Sequence, residues 1–94
     1  MAPLRPDLPP HVAEIVRRLP PDVKRSVKQA LRTLSENPQA GEPLRGQLHG
    51  LWRYRARRFR IVYAADRSKR ILRIYAVAHR RFVYEDLAEA LRKP

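Results

Sequence analysis

Hydrophobic residues in the first third of the chain recur with the spacing of helices. Between residues 11 and 19 they fall at i, i+3, i+4 and i+7, which is one face of a helix. Pro20 and Pro21 end that pattern and suit the start of a second helix. The second pattern runs to Asn37-Pro38 with an apolar stripe at Val23, Val27, Ala30, Leu31 and Leu34. Two helices separated by two prolines predict an antiparallel hairpin.

After residue 43 the hydrophobic period changes from that of a helix to that of a strand. Trp52, Tyr54 and Ala56 alternate with arginines, which predicts a strand with one apolar and one cationic face. Residues 59–65 and 71–77 predict two further strands, joined by a polar turn, and the short connections favour an antiparallel meander. Residues 83–92 predict a short final helix.

This order of elements predicts an α+β fold in one domain. We expect the N-terminal hairpin to pack on one face of a small twisted antiparallel sheet of three to four strands, followed by the short C-terminal helix. Residues 1–10 hold four prolines and predict an extended arm or a degenerate edge strand. Residues 11–94 have the length of a single small domain.

The charge is concentrated in one part of the chain. Residues 44–81 contain twelve Arg or Lys and one acid, so they hold +11 of the total net charge of +12. Such a one-sided segment repels itself in the folded state, which favours a polyanionic partner, and nucleic acid is the first candidate.

Composition excludes several other classes of function. Without cysteine there is no disulfide, thiol nucleophile or cysteine metal site, and the histidines lack metal-ligand spacing. No Gly-rich phosphate loop or nucleophile triad is present, so we expect neither a metal nor a cofactor. The amino terminus has no signal-peptide core, and no apolar run is long enough to span a bilayer. We therefore expect a cytoplasmic protein without a membrane partner.

The basic strands can form an anion site. Arg53 and Arg55 lie opposite Trp52 in the alternation, and Arg60 on the next strand can join their face, with Arg80 reaching the same concavity. Guanidinium groups bind phosphate oxygens bidentately, and several together would favour a phosphorane-like state. The alternative is the ordinary polar face of an antiparallel sheet. The near absence of carboxylates in this stretch favours the anion site.

Two residues near the carboxyl terminus can transfer protons. Tyr84, four positions beyond Arg80, can act as a general base or donate to an oxyanion, or it can simply pack on the sheet edge. His79 is a candidate proton donor, a strand cap or a base-stacking residue. This set suits RNA cleavage, in which the 2′-hydroxyl of the substrate is the nucleophile and positioning supplies much of the rate.

Four segments taken in order resemble the RelE/ParE toxin superfamily. They are Leu44-Arg45-Gly46, Gly50-Leu51-Trp52-Arg53-Tyr54-Arg55, Phe59-Arg60-Ile61-Val62-Tyr63 and Ala78-His79-Arg80-Arg81. The resemblance to the RelE branch implies a type II toxin that is a metal-independent, ribosome-dependent mRNA endonuclease. It implies catalytic roles for Arg60, Arg80 and Tyr84, and phosphate binding by Arg53 and Arg55. We add Arg57, Arg58 and Arg81 as further RNA-binding candidates.

The same resemblance implies partners and leaves alternatives. The partners would be the ribosome, mRNA and a cognate antitoxin, acidic or DNA-binding and encoded adjacently. The ParE branch shares the fold but inhibits DNA gyrase, and a non-catalytic basic RNA- or ribosome-binding module is a third hypothesis. The first strand of the family would fall in the Pro-rich residues 1–10, so we expect it to be shortened or missing.

Overall fold

The computed structural model describes residues 3–92. Residues 1–2 of the predicted arm (1–10) and residues 93–94 of the predicted domain (11–94) lie outside the described part. The helices are α1 (Pro10–Arg17), α2 (Pro21–Glu36) and α3 (Val83–Arg92), with short 3-10 turns at Pro38–Ala40 and Gly46–Leu48. The strands are β1 (Arg5–Asp7), β2 (Glu42–Pro43), β3 (Trp52–Ala56), β4 (Phe59–Asp66) and β5 (Ile71–His79).

The two N-terminal helices form where their apolar spacing predicts them. Each begins with proline in its first turn, where a missing N–H costs nothing, and Asp22 lies at the positive end of α2. The α2 helix ends before Asn37, whose side chain accepts a hydrogen bond from the Gln39 N–H at 3.3 Å. Both helices pack on one sheet face and share its core, which includes Val12, Val16, Val27, Leu34, Ile61, Tyr63 and Leu72.

The sheet has five strands in the order β1-β5-β4-β3-β2. The meander of β3, β4 and β5 is antiparallel as predicted, and β2 pairs antiparallel with β3. The expected count of three to four antiparallel strands needs correction, because β1 also joins the sheet and runs parallel to β5. Pro6 is tolerated in β1 because an edge strand needs no donor on its outer side.

The third helix packs on the sheet face opposite the hairpin. Val83 and Leu87 of α3 pack against Val62, Ala76 and Ala78, which form a second core on the face opposite the hairpin. The β4–β5 register shifts by one residue, because Val62 pairs with Ala76 but Tyr63 pairs with Ile74. This irregularity changes which β5 side chains face the hairpin and which face α3. The continuous apolar run of β4 is therefore explained by two covered faces. Within residues 3–92, no helix combines the length and apolar character required to cross a bilayer.

Candidate active site

The β3–β4 register brings three arginines to the face that α3 covers. Arg55 pairs with Arg60, and Arg53 pairs with Val62, which belongs to the α3-side core. Side chains at paired positions share a face, and their Cβ atoms lie about 5 Å apart. The expectation that Arg53, Arg55 and Arg60 project together is therefore met by the register itself.

Arg60 is held in place by backbone oxygens. Its Nη1 donates to the carbonyl of Arg57 at 3.1 Å and to that of Phe59 at 3.0 Å. Partial burial lowers the pKa of Arg60, and the charges of Arg55, Arg80 and Arg53 lower it further. Among residues 3–92 no carboxylate forms an ion pair with it. Arg60 is therefore a fixed cation among like charges, which an anion would relieve.

Tyr84 reaches this face from α3. Nη1 of Arg53 donates a hydrogen bond to the Tyr84 hydroxyl at 2.7 Å, and this bond is the main reason why the pKa of Arg53 is raised. Tyr84 is 46% exposed, so the phenol is also accessible to a ligand. In its phenolate form this oxygen can accept a proton, and the Arg53 guanidinium balances the negative charge that the phenolate carries before the transfer.

A small cleft lies between these side chains. It has a volume of about 140 Å³ and is lined by Glu42, Arg53, Arg55 and Arg60. Glu42 lies on β2 opposite Arg53, and its Oε2 is 3.6 Å from Arg53 Nη2. Such an exposed pair contributes little to stability. Three guanidinium groups and one carboxylate therefore face a common space.

Sequence reasoning missed Glu42. The residue lies ten positions before the arginine strand, in a two-residue strand whose pairing no local pattern predicts. One feature of the sequence could have drawn attention to Glu42, because it is the sole acid between residues 37 and 65.

The loop before β2 is anchored by a buried tyrosine. The Tyr63 hydroxyl donates to the Pro38 carbonyl at 2.6 Å and accepts from the Gly41 N–H at 3.1 Å. A Cβ at position 41 would collide with the Arg53 carbonyl and the Tyr63 hydroxyl, so this close approach requires glycine. The contact sets β2, and with it Glu42, beside Arg53.

His79 lies outside the cleft. Arg60 pairs with Ala78, so the next residue, His79, projects from the other sheet face. Its ring makes an edge contact with Phe59, with ring centroids 5.9 Å apart, and its Nδ1 accepts the Arg81 N–H at 3.2 Å. The structure thus separates this candidate proton donor from the cleft arginines Arg53, Arg55 and Arg60.

The remaining predicted arginines occupy different places. Arg80 follows β5 and is exposed, and its positive charge helps to lower the pKa of Arg60. Arg58 and Arg81 are exposed, and no hydrogen bond or ion pair described within residues 3–92 ties either side chain to the cleft. Arg57 turns toward α2 and contacts Ser26 and Asp22. Within the same residues, no group of three His, Cys, Asp or Glu could hold a metal ion.

Known proteins share this sequence pattern and fold. The family model described as "ParE toxin of type II toxin-antitoxin system, parDE" matches residues 10–84. A chain of the toxin–antitoxin complex RelBE2 from Mycobacterium tuberculosis superposes with a TM-score of 0.75 at 27% identity, covering 84% of this chain and 93% of that one. An arginine double mutant of the E. coli toxin RelE in the free state gives a TM-score of 0.78 at 22% identity, with 97% of both chains covered.

No curated protein gives a significant match. The family match spans the hairpin and all three meander strands, and it includes the cleft residues Arg53, Arg55 and Arg60 and, at its end, Tyr84. The chain therefore belongs to the ParE toxin family of type II toxin–antitoxin systems, within the RelE/ParE superfamily.

Proposed function

We propose that this toxin is an endoribonuclease that cuts mRNA on the ribosome. The observation that carries the proposal is the convergence of Arg53, Arg55 and Arg60 on one cleft, with the Tyr84 hydroxyl 2.7 Å from Arg53. An RNA phosphodiester fits such a site, because guanidinium groups match its oxygens and the 2′-hydroxyl supplies the nucleophile. No metal or protein nucleophile is needed for this reaction.

The arginines would divide binding from catalysis. Arg53 and Arg55 would grip the phosphate backbone from β3. Arg60 and Arg80 would stabilise the charge that builds on the scissile phosphate during attack. Arg60 suits that task because two carbonyl oxygens already fix its guanidinium, so little reorganisation is needed as charge develops.

Two groups beside the arginines can accept the proton of the attacking 2′-hydroxyl. In the proposed step the 2′-oxygen bonds to phosphorus, the bond to the 5′-oxygen breaks, and a cyclic phosphate remains. Tyr84, acting as a phenolate, is the base that we favour because it is held by Arg53 and exposed to a ligand. Glu42 is the second candidate because its carboxylate lines the same cleft. The leaving 5′-oxygen would take a proton from solvent, since His79 lies on the other face.

Inhibition of DNA gyrase is the second candidate function. The observation that favours it is the family match, which is with the ParE rather than the RelE description. A gyrase inhibitor would act by binding, so it would not require an anion cleft with a positioned phenol. The arginine cleft is therefore the reason for ranking this function second.

The proposal also names partners and a compartment. A cognate antitoxin would neutralise the cleft, and an acidic segment laid over it would match its charge. Translating ribosomes and mRNA would be the targets, and the toxin would then act in the cytoplasm.

A cleavage assay with translating ribosomes tests the proposal. We expect the wild type to cut a defined mRNA, and Arg60→Ala to cut it about 10²–10³-fold more slowly, as expected when one charge-stabilising group is removed. Arg17→Ala is the matched control, since this exposed α1 arginine pairs only with Glu14 in the described chain. Supercoiling by purified gyrase is measured in parallel. Inhibited gyrase with intact mRNA would reject the nuclease in favour of the second candidate.

A further inference from the structure

The outer edge of β3 is open beyond Arg53. Within residues 3–92, β2 pairs only with Trp52 and Arg53, so the rest of β3 has no strand on that side. A groove of about 450 Å³ runs along this open edge between α2 and β3. Its lining is polar and includes Arg25, Ser26, Gln29, Arg55 and Arg57.

Arg57 is oriented toward this groove by α2. Its Nε donates to Ser26 Oγ at 2.9 Å, and its Nη1 lies 3.2 Å from Asp22 Oδ2. These contacts fix the guanidinium plane and balance the charge of Asp22, and no hydrogen bond described in residues 3–92 uses Nη2. One acid is thus neutralised, and Arg25 leaves the groove with a positive surplus.

The backbone at Arg57 is in the left-handed region, with φ of 57°. Glycine or asparagine adopts that conformation in a tight turn at lower cost, whereas other L-residues lose roughly 1 kcal/mol. Arg70 has the same backbone conformation in the next turn, so the case for Arg57 is carried by its contacts with α2 and not by its φ.

Arg55 connects the groove with the candidate active site. It lines the 140 Å³ cleft on the α3 side and also the groove on the hairpin side. A chain of phosphates could therefore pass from one concavity to the other around the open edge of β3, with Arg55 in contact along the way. This continuity favours RNA over an unrelated acidic protein segment.

We propose that the groove between α2 and β3 binds the single-stranded RNA that flanks the cleaved phosphodiester. Arg25 and Arg57 contact phosphates of this flanking strand, and Ser26 and Gln29 supply hydrogen bonds to its sugar-phosphate backbone. Such contacts position the strand without reading its sequence. The inference rests on the proposed function, because it takes the cleft as the place of cleavage.

Binding of oligonucleotides that cannot be cut tests this groove separately from cleavage. Fully 2′-O-methylated RNA lacks the nucleophile, so fluorescence anisotropy with a trinucleotide and a nonanucleotide reports affinity alone. Arg25→Ala/Arg57→Ala should weaken nonanucleotide binding about tenfold or more, because charge-assisted hydrogen bonds are lost, and should leave the trinucleotide unchanged. The slope of log K against log salt should fall by about 1.4 for two lost phosphate contacts.

The matched control is Arg17→Ala/Arg18→Ala, which removes the same charge from exposed positions on α1. It should reduce affinity for both lengths equally and by less than about twofold, since only the long-range field changes. Arg25→Ala alone, at an exposed position on α2, should give part of the effect without disturbing the β3–β4 turn. Thermal melts show that each variant is folded.

Three results would overturn the inference. They are equal losses for the two oligonucleotide lengths, equal losses for the two double variants, or no RNA binding by the wild type. Loss of antitoxin binding alone in the groove variant would assign the groove to that protein. The ribosome assay is read separately: length-dependent binding without any cleavage would refute the nuclease and leave the groove as an RNA site.

Discussion

The Tyr84 hydroxyl on α3 accepts a hydrogen bond from Arg53 on β3, across 31 positions of sequence. The contact exists because α3 packs on the sheet face opposite the hairpin, where the arginines also project. A helix placed on the hairpin side would leave the phenol far from every arginine of the cleft. The location of α3 therefore determines whether the chain has a general-base candidate at its cationic site.

Tyr84→Phe should slow mRNA cleavage about 10²–10⁴-fold, the usual contribution of a general base. The ring remains, so the free energy of unfolding should change by less than about 0.5 kcal/mol at this half-exposed position. Single-turnover cleavage on ribosomes and a urea melt measure the two effects. Tyr75→Phe removes a phenol from a half-buried β5 position and should leave the rate unchanged. Equal rates for wild type and Tyr84→Phe would remove Tyr84 from the mechanism.

Glu42→Gln should separate substrate binding from the chemical step. Removing the carboxylate beside Arg53 takes a negative charge away from the phosphate site, so uncleavable RNA should bind more tightly. If Glu42 shares the role of base, the cleavage rate falls while affinity rises. Glu89→Gln on α3, where the acid pairs with Arg92, is the control for a lost surface charge. Tighter binding together with faster cleavage would show that Glu42 is not a base and that its negative charge only weakens RNA binding at the cleft.

The local elements were readable from the sequence, while the pairing of distant ones was not. The α2 helix spans Pro21–Glu36, as its stripe and its flanking prolines predict, and α3 spans the predicted residues 83–92. These elements follow from periodicities within one segment. The addition of β1 beside β5 depends on residues about 66 positions apart, and no short-range pattern encodes it.

The candidate site was partly predictable for the same reason. Alternation along β3 is local, so the sequence alone assigns Arg53 and Arg55 to one face of the sheet, and the β3–β4 register adds Arg60 to that face. Glu42 depends on β2–β3 pairing, and the exclusion of His79 depends on the β4–β5 register. Arg57 follows the alternation of β3 in the sequence, but it begins the turn and bonds to α2 instead.

Tyr63→Phe should destabilise the fold by about 1–3 kcal/mol near neutral pH, because the Pro38 carbonyl and Gly41 N–H lose their partner. The variant should also be less sensitive to alkali. Burial raises the pKa of Tyr63 above its ordinary value of 10. The contribution of the Tyr63 hydroxyl to the free energy of unfolding is therefore complete below pH 10. It declines as the pH rises from 10 toward the folded-state pKa, because Tyr63 ionises first in the unfolded chain.

Urea melts between about pH 8 and pH 11 measure this difference. The wild type should lose stability more steeply than Tyr63→Phe above about pH 10, so the two curves approach each other. Tyr75→Phe, which keeps Tyr63, should follow the steep curve of the wild type. Parallel curves for all three proteins would mean that Tyr63 ionises equally well in both states.

Leu87→Ala should connect packing under α3 with activity. Leu87 is fully buried against Val62 and Ala76, and truncation of such a side chain costs about 2–5 kcal/mol. The loss falls on the contacts that hold α3, so the Tyr84–Arg53 hydrogen bond should weaken before the hairpin-side core unfolds. Cleavage should drop more than the unfolded fraction accounts for, and amide exchange should speed up in α3 ahead of α2. Leu91→Ala, one turn later and half exposed, should change neither the cleavage rate nor the amide exchange rate of α3. Equally fast amide exchange in α2 and α3 of Leu87→Ala would instead indicate global unfolding.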